Sequence, residues 1–249
     1  MINYMKSEYY RLLRKKGLHF TSLICFLLIA AAAAVLYYFE QYDPNFLYGT
    51  SKFYYSNVIG GGLLIVIVGV LFNLALTGKD MSLLKQSISF GISRKMIFWS
   101  KLILTLSYFM FICVVGILLM IALGENLLNI DNQSVRNFLI ASVNMAPLVL
   151  SGFILTHTLK MLKVGEVYII IVLIFIFALS SNLLRILFRP ITGLNELYKY
   201  VPNTLLNDNL ISFMDGTVQF GYQYWVVGIV ISLIALLFGV KRFSNQNID

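Results

Sequence analysis

Charge is the scarcest thing in this chain. Only 12% of its 249 residues are Asp, Glu, Lys or Arg, against about 25% in an ordinary soluble domain. The deficit arises because long stretches carry no charge at all. With 59% hydrophobic residues and a mean hydropathy of +0.82, the soluble globular class is excluded. Cysteine is almost missing as well. Cys25 and Cys113 both lie in apolar stretches and read as small buried hydrophobes, not as a disulfide framework or a metal site. Histidine is confined to His19 and His157, at opposite reaches of the chain. No His-Glu-x-x-His, no paired carboxylates and no Ser/His/Asp set can be assembled. Thr77-Gly78-Lys79-Asp80 holds a Gly-Lys pair, but Asn73 stands where a phosphate loop needs glycine and Asp follows the lysine. No catalytic, metal or cofactor site is expected, and any active transport must draw its energy from a partner.

What is present is apolar length. Stretches at 18–39, 57–78, 97–123, 137–159, 167–187 and 222–240 approach or exceed the ~20 residues that cross a bilayer core. Their cores, Leu102–Leu123 in the third and Val167–Leu184 in the fifth, hold no Asp, Glu, Lys or Arg, so a carrier driven by protons or sodium through midplane acids is not expected. The fold class is therefore an all-α integral membrane protein of six transmembrane helices, forming one domain over 1–249. The basic start is followed by an apolar run too long for a signal-peptide core, which predicts a retained first span. Ala30–Ala34 would let another helix approach closely. Gly60-Gly61-Gly62 allow a bend or close packing in the second span, and Pro147 predicts a kink in the fourth. The stretch 188–221 mixes apolar and aromatic residues with breaks, and predicts an outer re-entrant hairpin.

Lysine and arginine set the orientation. With both termini in the cytoplasm of a multi-pass cell-membrane protein, the inner segments hold 14 of the 19 basic residues, Lys101 among them. The net charge of +8 is then topological, and no nucleic-acid partner is expected. Two inner segments stand out. Residues 1–17 form a basic arm in which Ile2, Met5, Tyr9 and Leu12 recur at helical steps beside Lys6, Arg11, Arg14, Lys15 and Lys16. Such an amphipathic helix lies on anionic membrane lipid, although a solvated basic tag has the same composition. Residues 79–95 form the second. Met81, Leu84, Ile88 and Ile92 share one helical face, Lys85 lies off it, and Gly91-Ile92-Ser93-Arg94-Lys95 leads back to the membrane. Either a surface-hugging loop or a docking helix fits that pattern.

The order of these parts resembles the permease subunit of ABC-2 type ATP-binding-cassette exporters, especially Gram-positive permeases for lantibiotics, bacitracin or phenol-soluble modulins. The nearest thing to a motif is Gly91-Ile92-Ser93-Arg94-Lys95. The resemblance implies a second permease, identical or homologous, and a separate cytoplasmic ATPase subunit. It implies amphipathic or antimicrobial peptide as cargo, and coupling to the ATPase through Met81, Leu84, Lys85, Ile88, Ile92, Arg94 and Lys95. The arm residues Met5, Lys6, Tyr9, Arg11 and Arg14 would support that contact. A non-transporting scaffold, sensor partner or immunity protein that sequesters a peptide remains the alternative. An intramembrane enzyme lacks a nucleophile and a base. Asn73, Asn144 and Tyr168 are candidates to line a path, and buried packing explains each as well.

Overall fold

The computed structural model describes residues 2–43, 45–78, 82–189, 191, 194 and 196–245. The expected coupling residues Lys79, Asp80 and Met81 lie outside the described residues. Eleven helices follow one another among those described: α1 (Ile2–Leu13), α2 (Lys16–Tyr42), α3 (Ser51–Gly60), α4 (Gly62–Thr77), α5 (Ser82–Ser89), α6 (Arg94–Leu127), α7 (Ser134–Met161), α8 (Glu166–Ile174), α9 (Ser180–Phe188), α10 (Pro202–Met214) and α11 (Tyr222–Asn245). A π-helical turn, Phe175–Leu179, joins α8 and α9 into one rod. Five rods are long and apolar enough to cross a membrane: α2, α6, α7, α8–α9 and α11. A sixth crossing exists if α3 and α4, bent by 59°, count as one. The protein is thus all-α and membrane-embedded.

The second span differs from the expected 57–78. Its helix begins at Ser51, inside what reads as a polar loop, because Thr50 caps it by accepting from the Phe53 amide at 3.2 Å. Tyr54 and Tyr55 are then buried. Tyr55 donates to Glu125 at 2.9 Å across a gap left open by Gly124. The bend at Gly61 makes room for α10. A side chain at Gly62 would meet Leu206 of α10 at 2.9 Å, and one at Gly60 would meet Leu210 at 3.3 Å. The three glycines therefore serve both uses read from the sequence, a bend and a close approach.

The centre of the bundle is α7. Of its most apolar stretch, 61% is buried, against 17–22% in the other four rods. It is also the least apolar of the five. Lipid cannot satisfy hydroxyls and amides, so the helix that carries Asn144, Ser151, Thr156, His157 and Thr158 is the one its neighbours enclose. The peripheral α2 shows the converse. Of its alanine run only Ala33 is fully buried, while Tyr37 and Tyr38 remain exposed near its far end.

In the segment before α11 the described residues form a 3-10 turn at Leu197–Tyr200 and then α10. Asn144 receives it. Its amide donates to the Gln219 carbonyl at 2.8 Å and to Asn209 at 3.2 Å, and its oxygen accepts from the Gly221 amide at 3.0 Å. Asn209 in turn donates to the Ala141 carbonyl at 2.9 Å. From the buried Asn144, these bonds satisfy the non-helical backbone that leads into α11. Asn144→Leu should cost about 2 kcal/mol, because several buried groups lose partners together. Thermal unfolding in mild detergent measures it, and an unchanged midpoint would mean that water replaces the amide.

Candidate functional site: the basic end

The ends of α1, α4, α6 and α11 meet α5 on one face, called here the basic end. Local chemistry builds the turn between α5 and α6. Gly91 sits at φ +80°, the left-handed position that a side chain resists. It closes α5 with bonds from the Gly91 amide to Ile88 at 2.9 Å and from the Ile92 amide to Ser87 at 3.2 Å. Ser93 then caps α6, accepting from the Met96 amide at 3.3 Å. The run Gly91-Ile92-Ser93-Arg94-Lys95 is thus helix punctuation: a stop, a spacer and a start.

The face that α5 turns outward is not its apolar one. Leu84 is 2% exposed, and Ile88 and Ile92 are half-buried against the core. Lys85, Gln86, Ser89, Phe90 and Lys95 point out, with Phe90 at 77% exposure. Arg94 is half-buried and donates to the Ser244 carbonyl at 3.2 Å, tying the start of α6 to the end of α11. Of the expected coupling residues, Lys85 and Lys95 stand at the surface. Leu84, Ile88, Ile92 and Arg94 join α5 and α6 to the bundle.

The arm is rotated from the expected face. Leu12 is buried and Met5 half-buried, as the periodicity predicts, but Tyr9 is 52% exposed and its neighbour Glu8 only 3%. A carboxylate is tolerated there because cations accompany it. Arg11 donates to Glu8 Oε1 at 2.9 Å, and Lys101 Nζ lies 3.9 Å from Glu8 Oε2. Lys101 also donates to the Leu76 carbonyl at the end of α4. The Tyr4 hydroxyl faces both Glu8 and Ser87 of α5, and burial, then the Glu8 charge, pushes it well above the ordinary tyrosine value. Lys101 is therefore not a surface cation of the basic stretch. It sits two turns into α6, 2% exposed, as the hub of a cluster joining α1, α4, α5 and α6. Outward, the arm presents Lys6, Tyr9, Tyr10, Leu13 and Arg14, a mix of cations and amphipathic aromatics suited to headgroups. Arg14 lies over the Tyr10 ring at 4.2 Å.

The residues weighed for catalysis or a path have structural partners. His157 is fully buried. Asn73 donates to its Nδ1 at 3.0 Å, so its Nε2 carries the proton that meets the Phe98 carbonyl at 3.2 Å. Thr77 completes the set by donating to Asn73 Oδ1 at 2.9 Å. One neutral imidazole thereby links α4, α6 and α7. His19 bonds the Leu13 carbonyl at 2.7 Å and faces the Tyr108 hydroxyl at 3.4 Å. Tyr168 is 68% exposed on the outer surface of α8. Among the described residues no three His, Cys, Asp or Glu side chains are grouped to hold a metal.

Sequence reading missed an apolar cavity of about 290 Å³ between α2, α4, α6 and α7. Phe26, Val68, Phe109, Cys113, Met145 and Val149 line it, with the Ser142 hydroxyl as a polar atom that has no hydrogen-bond partner among the described residues. Cavities between helices form where side chains from four rods fall short of each other, and no one-dimensional pattern reports that. No family model matches the chain, and no curated protein or solved structure matches it either.

Proposed function

We propose that this chain is the membrane-spanning permease subunit of an ATP-binding-cassette exporter, moving amphipathic or antimicrobial peptides with ATP hydrolysed by a separate subunit. The observation that carries the reading is the construction of the basic end. A short helix lies beside the arm with its Ser87 facing Tyr4, the arm's Glu8 and Lys101 of α6 carry that contact on to α4 and α6, and a large apolar ring stands at the surface at Phe90. A push on that helix reaches the arm and, through Glu8 and Lys101, the ends of α4 and α6, instead of dissipating in a loop. The apolar cavity suits the apolar face of such cargo. Both termini would be cytoplasmic, with a second permease completing the path.

On this reading the docking contact lies at Phe90, Lys85 and Lys95, side chains of this segment that stand exposed. Phe90→Asp should weaken retention of an ATPase subunit on the purified chain by more than about tenfold, the loss of one well-buried aromatic contact. It should leave the thermal midpoint unchanged, since Phe90 touches little of its own chain. Leu84→Asp is the contrast: it should lower the midpoint because Leu84 is buried. Mild-detergent pull-down with mass spectrometry reads both. An ATPase held equally by Phe90→Asp removes the docking assignment. A chain that brings down no ATPase across several detergents removes the transporter reading and leaves sequestration or scaffolding.

A further inference from the structure

At the far end of the bundle, away from α1 and α5, α9 carries Asn182, Arg185 and Ile186, and Arg189 follows as its C-terminal cap residue. Spaced at one helical face, they line a cleft of about 760 Å³ whose other wall is Tyr198. The Arg185 guanidinium lies over the Tyr198 ring at 5.1 Å, which holds it toward the cleft. Among the described residues neither arginine has a carboxylate within ion-pair distance. The nearest acid in sequence, Glu196, is held by Lys199 at 3.0 Å. Two guanidiniums one turn apart therefore face one space with their charge uncompensated by acid. They sit at the C-terminal end of a membrane-crossing rod, where the helix dipole favours cations.

We infer that this cleft is a binding site for the phosphate headgroup of a membrane lipid. Guanidinium forks match phosphate oxygens in a bidentate manner, and the Asn182 amide adds a neutral donor. The apolar wall decides between a lipid and a free anion. Ile186 lines the same cleft and is 73% exposed, and Leu187 beside it is 63% exposed. A soluble anion has no use for such surface, whereas a lipid covers it with its glycerol and upper acyl chain. The inference rests on membrane placement alone and stands or falls independently of the exporter reading.

Phenylglyoxal modification tests it on the full wild-type chain in nanodiscs, with peptide mass spectrometry reading each arginine. Discs of phosphatidylglycerol are compared with discs of digalactosyldiacylglycerol, which has no phosphate. Arg136, exposed in the first turn of α7 at the same end, is the internal reference. Modification of Arg185 and Arg189 should slow roughly fivefold in phosphatidylglycerol, the effect of about 1 kcal/mol per arginine near an anionic surface, beyond any slowing at Arg136. Equal slowing at Arg136 would mean a general surface potential and overturn the site. Protection by inorganic phosphate in the glycolipid discs, as strong as that by the lipid, would overturn the lipid assignment. As a second readout, R185Q/R189Q should retain roughly thirtyfold less phosphatidylglycerol than wild type after delipidation, about fivefold for each arginine removed. Unchanged retention would also overturn the proposal.

Discussion

Lys101→Met should destabilise the protein by about 3 kcal/mol, the low end for breaking a buried ion pair. The replaced ammonium is 2% exposed and lies 3.9 Å from a carboxylate that is itself 3% exposed. Methionine fills the space but leaves Glu8 Oε2 without its counter-charge and the Leu76 carbonyl without its donor. Arg11 still reaches Glu8 Oε1 at 2.9 Å, which keeps the loss at the low end. Glu8→Gln in the same chain should recover part of it, since an amide needs no counter-charge. The double-mutant cycle, read as thermal or denaturant midpoints in mild detergent, gives the coupling directly. A Lys101→Met chain within about 0.5 kcal/mol of wild type would mean that the lysine stem snorkels to headgroups, and the hub would be abandoned. The cluster also bears on function. If it transmits the push on α5, a Glu8→Gln/Lys101→Met chain that folds should still bind its ATPase but respond less to cargo.

Gly228→Ala should cost about 3 kcal/mol, the upper part of the range for one added methyl in a packed interior. The methyl would stand 2.5 Å from the Pro147 carbonyl oxygen and 2.8 Å from its Cβ. These neighbours are backbone and a ring, which cannot rotate away. The contact is part of the most extensive helix pairing among the described residues, that of α7 with α11. Gly228, Ser232, Ala235 and Gly239 form a small-residue stripe down α11, and Thr158 donates to the Ala235 carbonyl at 3.3 Å within it. Without a hydrophobic force between helices in lipid, such close backbone packing holds them together. The expected result is a lower midpoint with partial loss of folded chain on size exclusion. A midpoint equal to wild type would show that α7 and α11 can separate by an ångström without cost. Gly17→Ala serves as the control, since a methyl there meets nothing within 4 Å.

Much of the site was written in local sequence. Gly91 and Ser93 can be read as a stop and a start because a left-handed glycine and a capping hydroxyl act on their own few residues. Periodicity also gives the existence of α1 and α5. It does not give the direction each faces. On α5 the apolar residues turned inward, since the bundle ends offer a larger apolar surface than the open side does. On α1 the buried position went to Glu8 and not Tyr9, since Arg11 and Lys101 are there to neutralise it.

By itself, then, the sequence determined that the chain is helical and lives in a membrane. Length without charge has one stable solution in lipid, a helix that satisfies its own backbone. That α7 takes the centre emerged from the fold, where neighbouring helices enclose Asn144 and His157, which lipid does not satisfy. Only the tertiary structure decided that Lys101 is buried, that α3 begins at Ser51 and that α10 nests against Gly60 and Gly62. Each of those depends on what another helix, distant in sequence, places opposite, and a charge or a glycine acquires its role only when that neighbour is in position.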